Sequence, residues 1–252
     1  MKFLHWKIQL ALALIGASAG LYGLNYLLFR DVNYMTRLFL AQLGFLPISV
    51  LLVTIILNQL MAQRARTAKL AKLNMVIGAF FSEVGGPLLK TLTAYDRSLP
   101  DFQPRVAHIS HWTGPDFAGF SQGLTENDFR IVLEAGDLEA LRDFLLQKRD
   151  FLLRLLENPN LLEHDSFSSL LLAVFHLTEE LAQRTGLARL GAADQAHLAS
   201  DVQRGYVLLI KEWLAYMAHL KTSYPYLFSL ALRTNPFDPF ATPEIQERGS
   251  GF

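Results

Sequence analysis

The sequence contains no cysteine. A chain without cysteine forms no disulfide, offers no thiolate to zinc and has no cysteine nucleophile. This composition is compatible with a reducing compartment. The sequence also lacks the G-x-x-x-x-G-K-[ST] phosphate loop and the H-E-x-x-H zinc motif. We therefore expect no cofactor, and we favour a binding or scaffold protein over an enzyme.

Acidic residues are nearly absent from the first 72 positions. This segment carries eight Lys and Arg residues against one acid, Asp31, a net charge of +7. Residues 73–252 carry 15 Lys and Arg residues against 22 acids, a net charge of −7. A basic segment suits anionic lipid headgroups. The acidic remainder argues against nucleic acid, which needs a basic face.

Charged residues are absent altogether from two apolar runs, Ile8–Phe29 and Leu38–Ala62. Each run exceeds the ~20 residues that a helix needs to cross ~30 Å of hydrocarbon. They predict two transmembrane helices, at about 8–29 and 38–62, that form an N-terminal hairpin over residues 1–62. The alternatives are soluble core helices and, for the first run, a cleaved signal peptide. That run continues well beyond the ~7–15 apolar residues of a signal sequence, which favours an uncleaved helix.

Basic residues near the helix ends predict the orientation of the hairpin, because cytoplasmic flanks carry the excess of Lys and Arg. The richest cluster follows the second run, so we expect both termini on the cytoplasmic side of the cytoplasmic (inner) membrane. Two arginines in the external connection oppose this orientation. The flanking residues are Lys2 and Lys7 before the hairpin, Arg30 and Arg37 within it, and Arg64, Arg66, Lys69 and Lys72 after it.

Small residues recur along one face of the first apolar run, at Gly16, Gly20 and Gly23. Glycine at this spacing lets a second membrane helix approach closely. The partner is either the second apolar helix or another copy of the chain. We therefore expect the lipid bilayer as a partner, and a homo-oligomer formed through the transmembrane helices as a further possibility.

Beyond the hairpin, apolar residues at three- and four-residue steps predict an all-α fold. We expect a cytoplasmic helical domain over residues 63–234 and one long helix from the second run, bent near Gly85-Gly86-Pro87. Proline and glycine predict an irregular insert at about 97–136 and a loosely ordered tail at 235–252. The main helices of the bundle are expected at about 138–157, 166–184 and 194–222.

Two groups of residues are candidate metal ligands. His176 shares a helix face with Glu179 and Glu180, and this pairing can bind a metal ion. His108 and His111 form an H-x-x-H pair that could supply two imidazoles to zinc. In both cases an ordinary histidine without a ligand is the favoured interpretation, and we assign no metal site from the sequence.

Glu83 is a candidate buried carboxylate, because Phe80, Phe81 and Val84 surround it in the sequence. A buried carboxylate requires a partner or a shifted pKa, and we expect an ion pair that locks the bundle. An acid–base group is also conceivable on the last long helix, where an ordinary amphipathic surface is the favoured alternative. Its members are Glu212, Trp213, Tyr216 and His219.

Several strings resemble a family of uncharacterised bacterial and archaeal membrane proteins. They lie at Leu73–Leu89, Phe151–Phe167, Phe175–Leu181 and Tyr224–Pro239. The resemblance implies two N-terminal transmembrane helices followed by a helical cytoplasmic domain. It implies no activity, cofactor or catalytic residue.

The sequence thus favours a membrane-anchored helical scaffold or interaction protein, with a cytoplasmic protein as a possible partner. One alternative is a membrane-anchored enzyme that depends on a metal or a lipid. The other is a subunit of an oligomeric channel or transporter.

Overall fold

The computed structural model describes residues 2–159, 161 and 164–244. It confirms the all-α class: the described residues form helices and no strand, with one isolated antiparallel bridge between Asp96 and Ile131. The chain divides into two compact units between Thr67 and Ala68.

The first unit contains the two apolar helices. Helix α1 covers Lys2–Phe29, and α2 begins at Val32 and continues to Phe80, a residue of the second unit. The stretch Val32–Ala65 is apolar and long enough to cross a membrane, and its most apolar window is unburied. Leu12–Leu28 is apolar but shorter. Lys72–Thr93 is also long and apolar enough to cross a membrane, but it is partly buried.

The second unit begins with a short change of helical register. Residues Phe81–Gly85 form a π-helical turn between α2 and α3, which covers Gly86–Thr93. The backbone N–H of Gly86 donates to the carbonyl oxygen of Phe81 and closes the turn. The sequence predicted a bend here, and the structure places this turn at the same glycines.

The bundle of the second unit is organised around its longest helix. Helix α6 covers Ala135–Leu156, α7 covers Asp165–Ala182, α8 covers Ala192–Ser223 and α9 covers Pro225–Arg233. Helix α8 packs against α3, α5, α7 and α9. One apolar stripe of α8 is buried in the core. The buried stripe residues are Leu198, Val202, Tyr206, Leu209, Trp213, Met217 and Leu220.

The insert predicted as irregular is largely helical. Helix α4 covers Leu99–Val106, α5 covers Gly114–Gly123, and single 3₁₀ turns follow each of them. Prolines occupy the first turns of α4 and α5, where a missing N–H costs nothing. The prediction was wrong because Pro100 and Pro115 begin helices, and α4 also accommodates Pro104 within its length.

The prediction of a loosely ordered tail is also wrong for the start of that segment, around Phe237. Phe237 is buried against Phe102 and Trp213, and its carbonyl oxygen accepts a 2.8 Å hydrogen bond from Nε2 of Gln103. An aromatic ring removed from water anchors this part of the chain to the core. The rest of the predicted tail, 245–252, lies outside the described residues.

Candidate functional site

The second unit contains a cavity of about 940 Å³. Its walls come from the end of α2, the π turn, α3, the end of α8, α9 and the segment that follows α9. Most of its lining is apolar, as in typical ligand pockets. The lining residues include Asn74, Met75, Gly78, Phe81, Lys90, Trp213, Tyr216, His219, Leu227, Leu230, Ala231 and Pro236.

The π turn fixes one wall of the cavity. The ring of Phe81 stacks on Tyr216 of α8, with the ring centroids 5.0 Å apart and the planes at 8°. Gly78 lies one helical turn before Phe81, and a Cβ at Gly78 would lie 3.5 Å from the Tyr216 hydroxyl oxygen. Helix α2 therefore approaches Tyr216 closely at Gly78, and a Cβ there would make an ordinary van der Waals contact with the hydroxyl.

Polar side chains lie among the predominantly apolar lining of this space. The side-chain amide nitrogen of Asn74 lies 3.2 Å from Nδ1 of His219. Burial lowers the pKa of the His219 imidazole and raises the pKa of the Tyr216 hydroxyl. Both groups are therefore neutral at pH 7. Lys90, which is exposed, supplies a positive charge at the lining.

An acid–base group does not assemble at this cavity. Trp213, Tyr216 and His219 line it, whereas Glu212 points to the start of α7, where Ser166 donates to its carboxylate. Burial raises the pKa of the Glu212 carboxyl, and the hydrogen bond from Ser166 opposes that shift. Helix α8 therefore directs Glu212 toward α7 and directs Trp213, Tyr216 and His219 toward the cavity.

Glu83 is not the buried carboxylate that its apolar neighbours predicted. More than half of its side chain is exposed, and its Oε2 accepts a 3.1 Å hydrogen bond from Nζ of Lys148 on α6. The buried face of the π turn carries Phe81 and Val84 instead. Because such a surface pair contributes little to stability, Glu83 does not lock the bundle.

His176 and Glu180 of α7 lie beside two residues of α8 that were not recognised as candidates from the sequence. His197 and Asp201 face them across the α7–α8 contact. The i,i+4 spacing of His197 and Asp201 was the signal that could have found them. Glu179 points elsewhere and pairs with Arg149 at 2.8 Å.

His108 and His111 lie exposed beside a 3₁₀ turn. Asp116, the nearest carboxylate that follows the pair in the sequence, accepts hydrogen bonds from the backbone N–H and the hydroxyl of Thr113, both at 2.7 Å. These bonds hold its pKa below the usual range. In the part of the chain that the structure describes, the loop pair gathers no third ligand.

Comparison with known proteins assigns the family. Residues 69–233 match the family model described as "Uncharacterized protein MJ1433, C-terminal helical domain", and residues 1–61 match "MJ1433, N-terminal helical domain". The chain belongs to the MJ1433 family. Uncharacterized protein MJ1433 of Methanocaldococcus jannaschii is 43% identical over 234 residues, which cover 93% of this chain and 94% of that relative. No solved structure matches the chain.

Two of the strings that carried the family resemblance meet at the cavity. Leu73–Leu89 contributes one wall, and Tyr224–Pro239 contributes the facing wall through α9 and the segment after it. These strings lie about 135 residues apart in the chain, and the fold brings them together. Two walls of the cavity are therefore formed by sequence stretches in which this chain resembles the family.

The glycine face of α1 is open. A Cβ added at Gly16, Gly20 or Gly23 would meet no atom within 4 Å. Gly16–Gly20 also reads G-x-S-x-G, but it lies inside a continuous helix, whereas a serine nucleophile elbow requires a strand-to-helix turn. The oligomeric role of the three glycines stays a prediction.

Proposed function

We propose that this protein is a membrane-anchored binding protein. In this proposal, α1 and the apolar part of α2 cross the cytoplasmic membrane as a hairpin. The helical domain binds the hydrocarbon chain of an anionic amphiphile in its cavity. This makes the interaction-protein hypothesis specific, with a lipid-like molecule as the ligand.

The exposed apolar surface of the first unit supports the anchor. Across residues 12–28 and 38–62 the large apolar side chains are exposed, as at Leu14, Leu27, Phe45 and Leu51. Continuous apolar surfaces of this extent mark contact with lipid or protein. Hydrocarbon satisfies these side chains, while the helical backbone satisfies its own hydrogen bonds.

The basic residues that flank the hairpin support a cytoplasmic location for both termini. The acidic second unit then faces the cytoplasm, and the basic segment before it faces anionic headgroups.

The cavity itself carries the ligand proposal. Its volume lies within the ~300–1,000 Å³ of small-molecule sites. Transfer of hydrocarbon into such a space contributes ~0.8 kcal/mol for each buried CH₂ group. Lys90 offers a counter-charge to an anionic headgroup, while neutral His219 and Tyr216 leave the interior without charge.

Photocrosslinking tests this proposal. The full-length protein in nanodiscs is supplied with a long-chain fatty acid that carries a diazirine at the end of its chain, and the adducts are located by mass spectrometry. We expect adducts on α9 and on residues 74–79. Ala231→Trp fills the cavity and reduces them, whereas Ala215→Trp, at an exposed position of α8 outside the lining, leaves them unchanged.

The outcomes separate ligand binding from contact with bulk lipid. Adducts confined to residues 12–62 would show a lipid annulus around the anchor and no bound ligand in the cavity. Equal labelling of the Ala231→Trp and Ala215→Trp variants would also contradict the proposal.

A further inference from the structure

Two neighbouring helices each carry a histidine and a carboxylate at i,i+4 spacing. Helix α7 presents His176 and Glu180, and α8 presents His197 and Asp201. Side chains four positions apart share one face of a helix. The antiparallel contact of α7 with α8 brings these faces together, so His176 meets Asp201 while Glu180 meets His197.

Three of these residues, Glu180, His197 and Asp201, hold their ligand atoms close enough for one small cation, and His176 lies beside Asp201. Oδ2 of Asp201 lies 3.5 Å from Nε2 of His176 and 3.3 Å from Nε2 of His197. Oε2 of Glu180 lies 3.6 Å from Nε2 of His197, and Oε1 of Glu180 lies 4.0 Å from Nε2 of His176. Ligand atoms around a tetrahedral ion with bonds of ~2.1 Å are ~3.4 Å apart.

An independent observation points to a missing positive partner. The Asp201 side chain is only 3% exposed, and its Oδ2 is buried without a hydrogen bond. A buried carboxylate oxygen without a donor is costly. This oxygen is the one directed toward both imidazoles, so a cation coordinated by all three groups would satisfy it.

The remaining carboxylate oxygens are held by arginines. Nη2 of Arg204 lies 3.3 Å from Oδ1 of Asp201, and Nη1 of Arg184 lies 2.6 Å from Oε2 of Glu180. The Arg204 contact fixes Oδ1 of Asp201 and leaves Oδ2 directed to both imidazoles. Arg184 orients the Glu180 carboxylate, whose Oε2 also faces His197 and whose Oε1 faces His176. Outer partners of this kind orient metal ligands.

We propose that this α7–α8 cluster binds one divalent transition-metal ion of the zinc class. Three ligands are Nε2 of His197, Oδ2 of Asp201 and a carboxylate oxygen of Glu180, whose ligand atoms lie within 4.8 Å of one another. Nε2 of His176, 3.5 Å from Oδ2 of Asp201, is the fourth. Two imidazoles with two carboxylates suit zinc and its first-row neighbours. Both histidines are about half exposed, so the ion is accessible from solvent. The ion ties α7 to α8.

Metal titration of the full-length protein tests the site. The protein is purified in detergent through a tag without histidine, freed of metal with a chelator, and titrated with Zn²⁺ by calorimetry. Co²⁺ serves as a second probe, because its visible absorption reports coordination geometry. We expect one ion per chain and a higher Tm in the presence of Zn²⁺.

Matched variants assign the ligands. His176→Ala/His197→Ala is expected to weaken Zn²⁺ binding at least ~100-fold, since outer partners alone contribute 10- to 100-fold. His108→Ala/His111→Ala removes two exposed histidines elsewhere and should leave the affinity unchanged. Asp201→Asn keeps the side-chain shape, so it separates loss of ligand charge from loss of fold.

Three results would overturn the site. They are the absence of stoichiometric Zn²⁺ and Co²⁺ binding by the wild-type chain, binding that survives His176→Ala/His197→Ala, and equal loss in His108→Ala/His111→Ala. Circular dichroism of each variant verifies the helical fold. The cavity proposal does not depend on these results, because none of the four ligands lines the cavity.

Discussion

The backbone N–H of Gly86 donates to the carbonyl oxygen of Phe81, and a Cβ at Gly86 would lie 2.8 Å from that same oxygen. The contact is with backbone, so no side-chain rotation relieves it. The π turn at this point therefore depends on glycine for space rather than for an unusual φ angle, since the φ of Gly86 is −64°. This turn places Phe81 against Tyr216 at the cavity.

Replacement of Gly86 is expected to destabilise the helical domain. We expect Gly86→Ala to lower the free energy of unfolding by ~1–3 kcal/mol through overpacking, and to weaken labelling of the cavity. Urea unfolding in detergent, followed by circular dichroism, measures the change. Gly205→Ala is the control, because a Cβ in the middle of α8 meets no atom within 4 Å. It should raise stability by up to ~1 kcal/mol, and a loss equal to that of Gly86→Ala would contradict the steric argument.

The buried Glu212 carboxyl predicts a pH-dependent stability. Burial raises its pKa in the folded state above that of the unfolded chain. Its contribution to stability is therefore fully present below about pH 4.3 and is lost as the pH rises through the folded-state pKa.

The variant Glu212→Gln removes this titration. We expect unfolding free energies equal to wild type at about pH 4 and higher than wild type at about pH 7, measured by urea unfolding in detergent. Glu139→Gln, at an exposed position of α6, should match wild type at both pH values. A variant that is less stable than wild type at neutral pH would show that the ionised carboxylate stabilises the fold.

The absence of cysteine makes the proposed topology directly measurable. Asn33→Cys, in the connection between the apolar runs, and Ser110→Cys, on the helical domain, are both exposed positions. In intact cells a membrane-impermeant maleimide should label Asn33→Cys alone. Permeabilisation should add labelling of Ser110→Cys, and the reverse pattern would invert the orientation.

The open glycine face of α1 predicts self-association in lipid. Gly16→Ile/Gly20→Ile should shift a crosslinked oligomer to monomer in nanodiscs, because the added side chains prevent close helix approach. Gly44→Ile on α2 is the control, since a Cβ there also meets no atom within 4 Å. A wild-type chain that is monomeric in lipid would remove the homo-oligomer from the proposal.

Much of the fold follows from local pattern. The apolar stripe of α8 predicted its buried face because a helix repeats every 3.6 residues, whatever lies opposite it. The helices expected at about 138–157, 166–184 and 194–222 correspond to α6, α7 and α8.

Other features depended on contacts that periodicity does not contain. Glu83 is surrounded by apolar residues in the sequence, yet the helix turns it toward Lys148 and solvent. Phe237 follows Asn235 and Pro236, which favour a turn, yet its ring is buried in the core. Neither outcome follows from neighbours along the chain, because each depends on which helices pack alongside.

The sequence by itself determined the all-α class, the two charge-free runs and the helical faces, since these depend on composition and on the geometry of a single helix. Tertiary structure alone decided which faces meet. It joined His176 to Asp201 across the α7–α8 contact, and it brought two distant strings together around one cavity. Binding sites need side chains from separate helices within a few ångströms, and only packing provides that proximity.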